Sequence, residues 1–153
     1  MPIVWRLVKT RLAASAFDGE GARRYGGRWN SPGLSVAYAS ETISLAMLEV
    51  MVHLRTGEIL PSYSRISAEI PDGLVRAISP GSLPPNWKVY PAPAETAAIG
   101  DAWVRTGSTP VLMVPSVVVE TEHNFLLNPA HPDFGRITIG APQPFPFDVR
   151  LKK

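Results

Sequence analysis

Residues 35–57 read SVAYASETISLAMLEVMVHLRTG, and this stretch predicts a short strand followed by the best-defined helix of the chain. Small and apolar residues over 35–39 favour the strand. Ser40 is a suitable N-cap for a helix over residues 41–56, and Gly57 is a suitable stop signal. Because the helix interior is apolar on nearly every side, we expect it to be deeply buried.

Further strands and a second helix are predicted on both sides of this unit. Apolar, β-branched runs predict strands at residues 3–8, 62–70, 74–78, 111–120, 136–140 and 145–150. A second helix is predicted over 94–106, opened by Pro93 and closed by Gly107. Strands and two helices without strict alternation predict an α+β fold, with a mixed, largely antiparallel central sheet and flanking helices. We expect residues 1–153 to form one domain.

Composition excludes several classes of protein. The chain of 153 residues has no cysteine, which excludes a disulfide scaffold, a thiolate metal site and a cysteine nucleophile. Charged residues make up 18% and 16 residues are proline, so a helical bundle or coiled coil is excluded. Without a membrane-length apolar stretch or a signal-peptide pattern, the protein is expected to be cytoplasmic.

A glycine-rich loop at residues 18–33 is the first candidate functional segment. Its central sequence, Gly26-Gly27-Arg28-Trp29-Asn30, allows close backbone approach to a ligand, and Arg28 is suited to gripping phosphate. The same pattern occurs in ordinary turns. It is neither a P-loop nor a dinucleotide-binding glycine motif. The first 30 residues hold six cations against two carboxylates, which indicates an anionic ligand, a nucleic-acid face or simply a solvated surface.

Two further residues are chemically unusual in their surroundings. Glu49 lies among apolar residues of the first helix, where a carboxylate is unfavourable unless it is paired or functional. It is either a partner of a core arginine or a catalytic or sugar-binding group. Ser116 follows Pro115 at a break in an apolar run, where its hydroxyl either faces a pocket or bonds the local backbone. The three histidines lack metal-ligand spacing, so no metal is expected.

In the order in which they occur along the chain, the segments that carry Arg28, Glu49 and Ser116 resemble the RES domain family, which is named for its Arg, Glu and Ser. The matching segments are GGRWNSPG with Arg28, SVAYAS with Tyr38, LAMLEVMVHL with Glu49, and VPSVVVETEHNFLLNPAHPDF with Ser116. The resemblance runs from about Arg6 to about Phe147, which is nearly the whole chain.

The resemblance implies a bacterial toxin of a toxin–antitoxin pair, restrained by a helix-turn-helix (Xre-type) antitoxin. It also implies an ADP-ribosyltransferase-like fold, homodimerisation within the complex, and NAD as substrate without a resident cofactor. Some members of the family cleave NAD by phosphorolysis to ADP-ribose 1″-phosphate and nicotinamide, with inorganic phosphate as co-substrate. Others transfer ADP-ribose to a protein.

Under this resemblance, the predicted catalytic residues are Arg28, Glu49 and Ser116. Glu49 would stabilise an oxocarbenium-like ribose, as carboxylates do in glycoside hydrolysis. Tyr38 would stack on nicotinamide. For Arg6 and Asn124 a structural hydrogen bond is the alternative to a ligand contact. The predicted NAD-binding residues are Arg28, Tyr38, Ser116, Arg6 and Asn124.

Phosphorolysis is the preferred reaction, and NAD hydrolysis or ADP-ribosylation of a protein are the alternatives. A nucleic-acid-binding module or a ribonuclease toxin is a more remote alternative, based on the basic N-terminal segment. The chain lacks a histidine pair or carboxylate cluster suited to RNA cleavage, and its aromatic residues are not interleaved with basic ones. Direct nucleic-acid binding is therefore not expected.

Overall fold

In the computed structural model, which describes residues 1–55, 57 and 60–151, the strands form one mixed sheet. The strands are β1 (Ile3–Lys9), β2 (Ala37–Ser40), β3 (Tyr63–Glu69), β4 (Val75–Ala77), β5 (Val111–Pro115), β6 (His123–Leu127), β7 (Thr138–Ile139) and β8 (Gln143–Pro144). The α-helices are α1 (Glu20–Tyr25), α2 (Ile43–Met51) and α3 (Ala94–Thr106). The predicted α+β class is therefore confirmed.

The sheet narrows near its middle. Its strand order is β4-β5-β6-β2-β1-β3-β7, with β8 also on β3, and only the β4–β5 pair is parallel. β1 pairs with β3 along the full length of both strands, whereas β1 and β2 share one register pair, Trp5 opposite Ser40. The sheet thus consists of two well-paired halves joined at a narrow point. Helix α2 packs across this point on β1 and β2.

Side chains alternate between the two faces of the sheet, as the two-residue period of a strand requires. One face carries the main core, which includes Val4, Val8, Ala37, Ala39, Ile66, Ala68, Phe125 and Leu127. The opposite face carries two smaller clusters. One lies at α3 around Trp29, Trp103 and Leu126, and the other lies at α2 around Leu7 and Ala46. Helices α2 and α3 therefore pack on the same face of the sheet.

The predicted bounds hold for α3 and fail for α2. Pro93 precedes α3, and Gly107 ends it with a φ of 64°. Helix α2 is capped by Thr42, whose Oγ1 accepts a hydrogen bond from the Leu45 amide at 3.0 Å. The expectation of a helix over 41–56 with Ser40 as N-cap is wrong, because the Glu41 amide donates to the carbonyl of His123 and stays with the sheet. Thr56, within the predicted helix, lies outside the described residues.

The expected deep burial of α2 is also wrong. Only Leu45 and Ala46 of this helix are fully buried. The helix packs against β1 and β2 with one face, and the rest of its apolar surface is half-buried. Val52, directly after the helix, is 58% exposed.

Three other parts of the chain differ from the prediction. Strand β6 was not predicted, because its first two residues, His123 and Asn124, are polar and the run is short. The run 111–120 stops being a strand at Pro115, and residues 145–150 form no strand. The glycine-rich loop contains α1, a helix of six residues. Among the described residues, no helix combines the length and hydropathy needed to cross a bilayer.

Candidate active site

The glutamate of α2 and the serine after β5 are in direct contact. Ser116 Oγ donates a hydrogen bond to Glu49 Oε1 at 3.2 Å. The same Oγ accepts hydrogen bonds from the amides of Val118 and Val119 at 3.0 and 3.1 Å. Because these two donors occupy the oxygen's lone pairs, the hydroxyl proton is directed to Glu49. Ser116 is 0% exposed, so this orientation is protected from water.

The carboxyl group of Glu49 has a pKa raised above its ordinary value, because the half-buried position disfavours its charge. Hydrogen bonds from Ser116 and Asn124, and the nearby charges of His53 and Arg28, oppose this rise in pKa. Asn124 is itself fixed by a bond from its Nδ2 to Ser40 Oγ at 3.2 Å. Glu49 is thus a partly desolvated carboxylate held by neutral donors, with positive charge nearby.

Two of the three arginines in the glycine-rich loop share one carboxylate partner within α1. Arg23 Nε donates to Glu20 Oε2 at 2.7 Å, and Arg24 Nε donates to Glu20 Oε1 at 3.1 Å. These bonds lower the pKa of Glu20 to about 2. By contrast, Arg28 has no carboxylate partner among the described residues; its Nη1 donates to the carbonyls of Trp87 and Val89 at 3.0 and 2.8 Å. Its charge therefore remains available to an external anion.

Tyr38 and Asn30 hold the arginine loop against β2. Tyr38 Oη donates to Asn30 Oδ1 at 2.6 Å and accepts from the Trp29 amide at 3.1 Å. Asn30 Nδ2 donates to the carbonyls of Ala22, Ser31 and Leu34. Burial raises the pKa of Tyr38, so its hydroxyl remains a donor over the whole physiological range. The hydroxyl has a structural role, and the half-buried ring is the part available for stacking on a ligand.

Helix α3 supports the arginine loop from the other side. Thr96 Oγ1 donates to the carbonyl of Arg28 at 2.7 Å. The carboxylate of Asp101 accepts from the Ser31 amide at 2.8 Å and from the Ser31 hydroxyl at 2.5 Å. Between these two anchors, Gly100 lies directly against the Trp29 carbonyl. The backbone of Arg28 is therefore fixed at both ends of a short segment.

Arg6 lies apart from the Glu49–Ser116 pair. It lies on the face of β1 that carries the main core. Its Nη1 donates to the carbonyl of Tyr38 at 2.8 Å. Its Nε is buried and has no partner in the described part of the chain. Burial lowers the pKa of Arg6, and the charge of Asp18 opposes that shift. The guanidinium thus bridges the narrow point of the sheet, between β1 and β2, with one donor unused.

The structure brings four of the predicted site residues together: Ser116 donates directly to Glu49, and Asn124 and Arg28 both act to lower the pKa of its carboxyl group. Tyr38 is linked to them through the arginine loop, and Arg6 through Tyr38. The supporting residues Asn30, Thr96, Gly100 and Asp101 were not predicted. Asn30 could have been suspected from its place in the Arg28 motif, whereas α3 carries no local signal of its role. The described residues contain no group of three or more His, Asp or Glu side chains arranged to hold a metal ion.

A family model of the RES domain matches residues 3–148. The chain belongs to the RES domain family. Full-length relatives carry the name Toxin Res in Yersinia enterocolitica (41% identity, covering 98% of this chain and 99% of the relative) and in Photorhabdus laumondii (36%, covering 99% and 97%). A third relative, from Sphingobium sp., is named Prs ADP-ribosylating toxin (36%, covering 96% and 94%). The predicted membership of the RES toxin family is therefore confirmed.

The fold of this RES domain also occurs in a solved structure. A chain in the crystal structure of the M. tuberculosis MbcT–MbcA toxin–antitoxin complex superimposes with a TM-score of 0.78. The match covers 94% of this chain and 84% of that chain at 19% sequence identity. At this identity the likeness concerns the fold. The overall fold of this chain is therefore shared with another protein.

Proposed function

We propose that this RES domain is the toxin of a toxin–antitoxin pair and that it cleaves the nicotinamide–ribose bond of NAD. The observation that carries the proposal is the environment of Glu49. A partly desolvated carboxylate, oriented by the hydrogen bond from Ser116, is suited to stabilise positive charge that develops on a ribose ring. Arg28 has no carboxylate partner in the described part of the chain, and the charge of Glu49 acts to raise its pKa, so it is suited to the diphosphate of the same substrate.

Phosphorolysis is the reaction we favour. An oxygen of inorganic phosphate forms a bond to C1″ of the ribose while the bond from C1″ to the nicotinamide nitrogen breaks. The bonding electrons go to that nitrogen, so nicotinamide leaves as a neutral molecule and requires no general acid. Arg28 supports an anionic substrate, because its guanidinium is held only by the carbonyls of Trp87 and Val89 and has no carboxylate partner among the described residues.

The test is incubation of the purified protein with NAD, with and without phosphate, followed by chromatographic separation of the products. We expect NAD loss, nicotinamide release and ADP-ribose 1″-phosphate formation to match one another and to require phosphate. Undiminished NAD under both conditions would refute cleavage. Free ADP-ribose formed at the same rate without phosphate would identify a hydrolase.

ADP-ribosylation of a protein is the second candidate, because a full-length relative is named Prs ADP-ribosylating toxin. The same Glu49 environment would serve that reaction, since the bond to nicotinamide also breaks there and a side chain replaces phosphate as the nucleophile. Labelled NAD added to a bacterial lysate distinguishes the two. A discrete labelled protein band would favour transfer, and label confined to small products would favour phosphorolysis.

A toxin that removes cytoplasmic NAD needs a partner that restrains it, and we propose a helix-turn-helix antitoxin of the Xre type. Induced expression of the RES domain alone should arrest growth as cellular NAD falls. Co-expression of a small helix-turn-helix protein encoded beside it should restore growth.

We also propose self-association, which the half-buried apolar surface of α2 and the exposed Val52 support. Light scattering of the purified complex would measure its stoichiometry.

Replacing Ser116 with alanine is expected to move the acidic limb of the pH–rate profile to higher pH. Burial raises the pKa of Glu49, and the hydrogen bond from Ser116 lowers it again. Since the reaction needs the carboxylate, activity falls as the pH drops through this pKa, and loss of the hydrogen bond raises the midpoint. The measurement is kcat/KM for NAD against pH, with Ser44→Ala on the exposed side of α2 as control. An acidic limb that stays in place or moves lower contradicts the assigned contact.

A further inference from the structure

Two tyrosine rings near Arg28 are almost fully exposed. The side chains of Tyr25 and Tyr90 are 81% and 82% exposed. Within the described chain, no hydrogen bond reaches either hydroxyl and no ring packs on either ring. Tyrosines of a stable domain usually bury much of their ring, so both rings are available to stack on a ligand.

Both rings are attached to segments that hold Arg28. Tyr25 is the last residue of α1, and the turn that leads from it to Arg28 is closed by a hydrogen bond from the Gly27 amide to the Asn30 carbonyl at 2.9 Å. Tyr90 directly follows Val89, whose carbonyl accepts from Arg28 Nη1 at 2.8 Å. One ring therefore extends from the loop that carries the guanidinium, and the other from the segment that the guanidinium binds.

These segments are fixed in place independently of any ligand. The Gly26 amide at the end of α1 donates to the Ala22 carbonyl at 2.8 Å. On the other side, Lys88 Nζ lies 2.5 Å from Glu120 Oε1, which ties the Tyr90 segment to the turn after Ser116. The backbones that carry the rings are thus ordered before binding, which reduces the entropy lost when a ligand is stacked.

We propose that Tyr25 and Tyr90 bind the adenine base of the dinucleotide, whose diphosphate lies at Arg28. This inference rests on the proposed cleavage of NAD and extends it to the far end of the substrate. Under that proposal the reacting ribose lies at Glu49. The charge of Glu49 acts to raise the pKa of Arg28, so the two groups belong to the same site. Rings attached on both sides of Arg28 are therefore suited to the part of NAD beyond the diphosphate, which is the adenosine. Aromatic rings bind a base by stacking, with little demand on its hydrogen-bonding edge.

The experiment compares NAD with nicotinamide mononucleotide, which has the scissile bond but lacks the adenylate. Tyr25→Ala and Tyr90→Ala should each raise KM for NAD about 5- to 140-fold, the range expected for loss of one base–aromatic stack. Their kcat for NAD and their KM for nicotinamide mononucleotide should stay unchanged. Tyr25→Phe and Tyr90→Phe keep the ring and should behave as wild type. Val149→Ala, which alters a side chain that is 87% exposed elsewhere, is the matched control.

Binding of ADP, measured by calorimetry, separates this inference from the proposed reaction. Weaker ADP binding in both alanine variants supports the adenine site even if the wild-type protein leaves NAD intact. Unchanged ADP affinity and unchanged KM for NAD overturn the adenine site and leave NAD cleavage standing. An equal rise of KM for both nucleotides also overturns it, because the rings would then act on the shared nicotinamide half.

Discussion

Glu49→Gln is expected to reduce NAD cleavage by about 10²- to 10³-fold or more, the size of effect seen when one preorganised electrostatic group is lost. Glutamine keeps the length of the side chain, and its carbonyl oxygen can still accept the hydrogen bond from Ser116. What it loses is the negative charge that would stabilise the developing positive charge on the ribose. The measurement is kcat at saturating NAD, with Glu69→Gln on the exposed side of β3 as control.

The same substitution is expected to leave the domain as stable as wild type at neutral pH, or more stable. Burial raises the pKa of Glu49 in the folded state above its unfolded value, so the folded state binds the proton more tightly. The contribution of Glu49 to the free energy of unfolding therefore falls as the pH rises through these two pKa values. Glutamine carries no charge and removes this dependence. A melting temperature below that of wild type at pH 7, together with lost activity, would show that Glu49 is mainly structural.

Lost activity together with unchanged or higher stability distinguishes a catalytic carboxylate from a structural one. A structural salt bridge would contribute stability that its removal takes away, and the described residues contain no salt bridge to Glu49. A carboxylate kept where its charge is unfavourable, with neutral donors arranged around it, is expected where activity was retained at the expense of stability. At Glu69, which is exposed, activity and stability are not opposed in this way.

Local signals in the sequence were sufficient for α3 and insufficient for α2. Helix α3 begins after Pro93 and ends at Gly107, and both residues act on the backbone beside them. The start of α2 depends on the Glu41 amide, which is taken by the carbonyl of His123 on β6. A contact between residues 82 positions apart leaves no trace in the local pattern. Strand β6 was hidden for the same reason, because its polar residues are satisfied only across the sheet.

In the candidate site, too, some features are visible in the local sequence and others depend on distant contacts. Glu49 was identifiable because a carboxylate in an apolar helix is chemically conspicuous, and Ser116 because it follows a proline in a strand-like run. Their mutual hydrogen bond joins residues 67 positions apart and could not be predicted from spacing. The supports of Arg28 are equally distant, since Thr96 and Asp101 reach the loop from α3. Residues with unusual chemistry are therefore recognisable in the sequence, whereas the residues that position them are not.

Gly100→Ala is the substitution expected to damage the arginine loop most, although residue 100 is far from Arg28 in sequence. A Cβ at this position would lie 1.6 Å from the Trp29 carbonyl oxygen and 2.7 Å from its carbon. These neighbours are backbone atoms, so either α3 or the loop must move, and the hydrogen bonds from Thr96 and Ser31 would be strained. Overpacking of this kind is expected to cost about 3 kcal/mol, or a fall in Tm of roughly 6–12 °C.

Gly21→Ala is the matched control, because Gly21 is also helical and a Cβ there meets nothing within 4 Å. It should leave the domain unchanged or slightly more stable, as alanine favours a helix over glycine. At a temperature where Gly100→Ala remains folded, kcat/KM for NAD should fall well below wild type, because the guanidinium of Arg28 is carried on the displaced backbone. An unchanged melting temperature and unchanged kcat/KM would mean that α3 does not set the position of the arginine. A lower melting temperature with full activity would mean that the loop relaxes without moving Arg28.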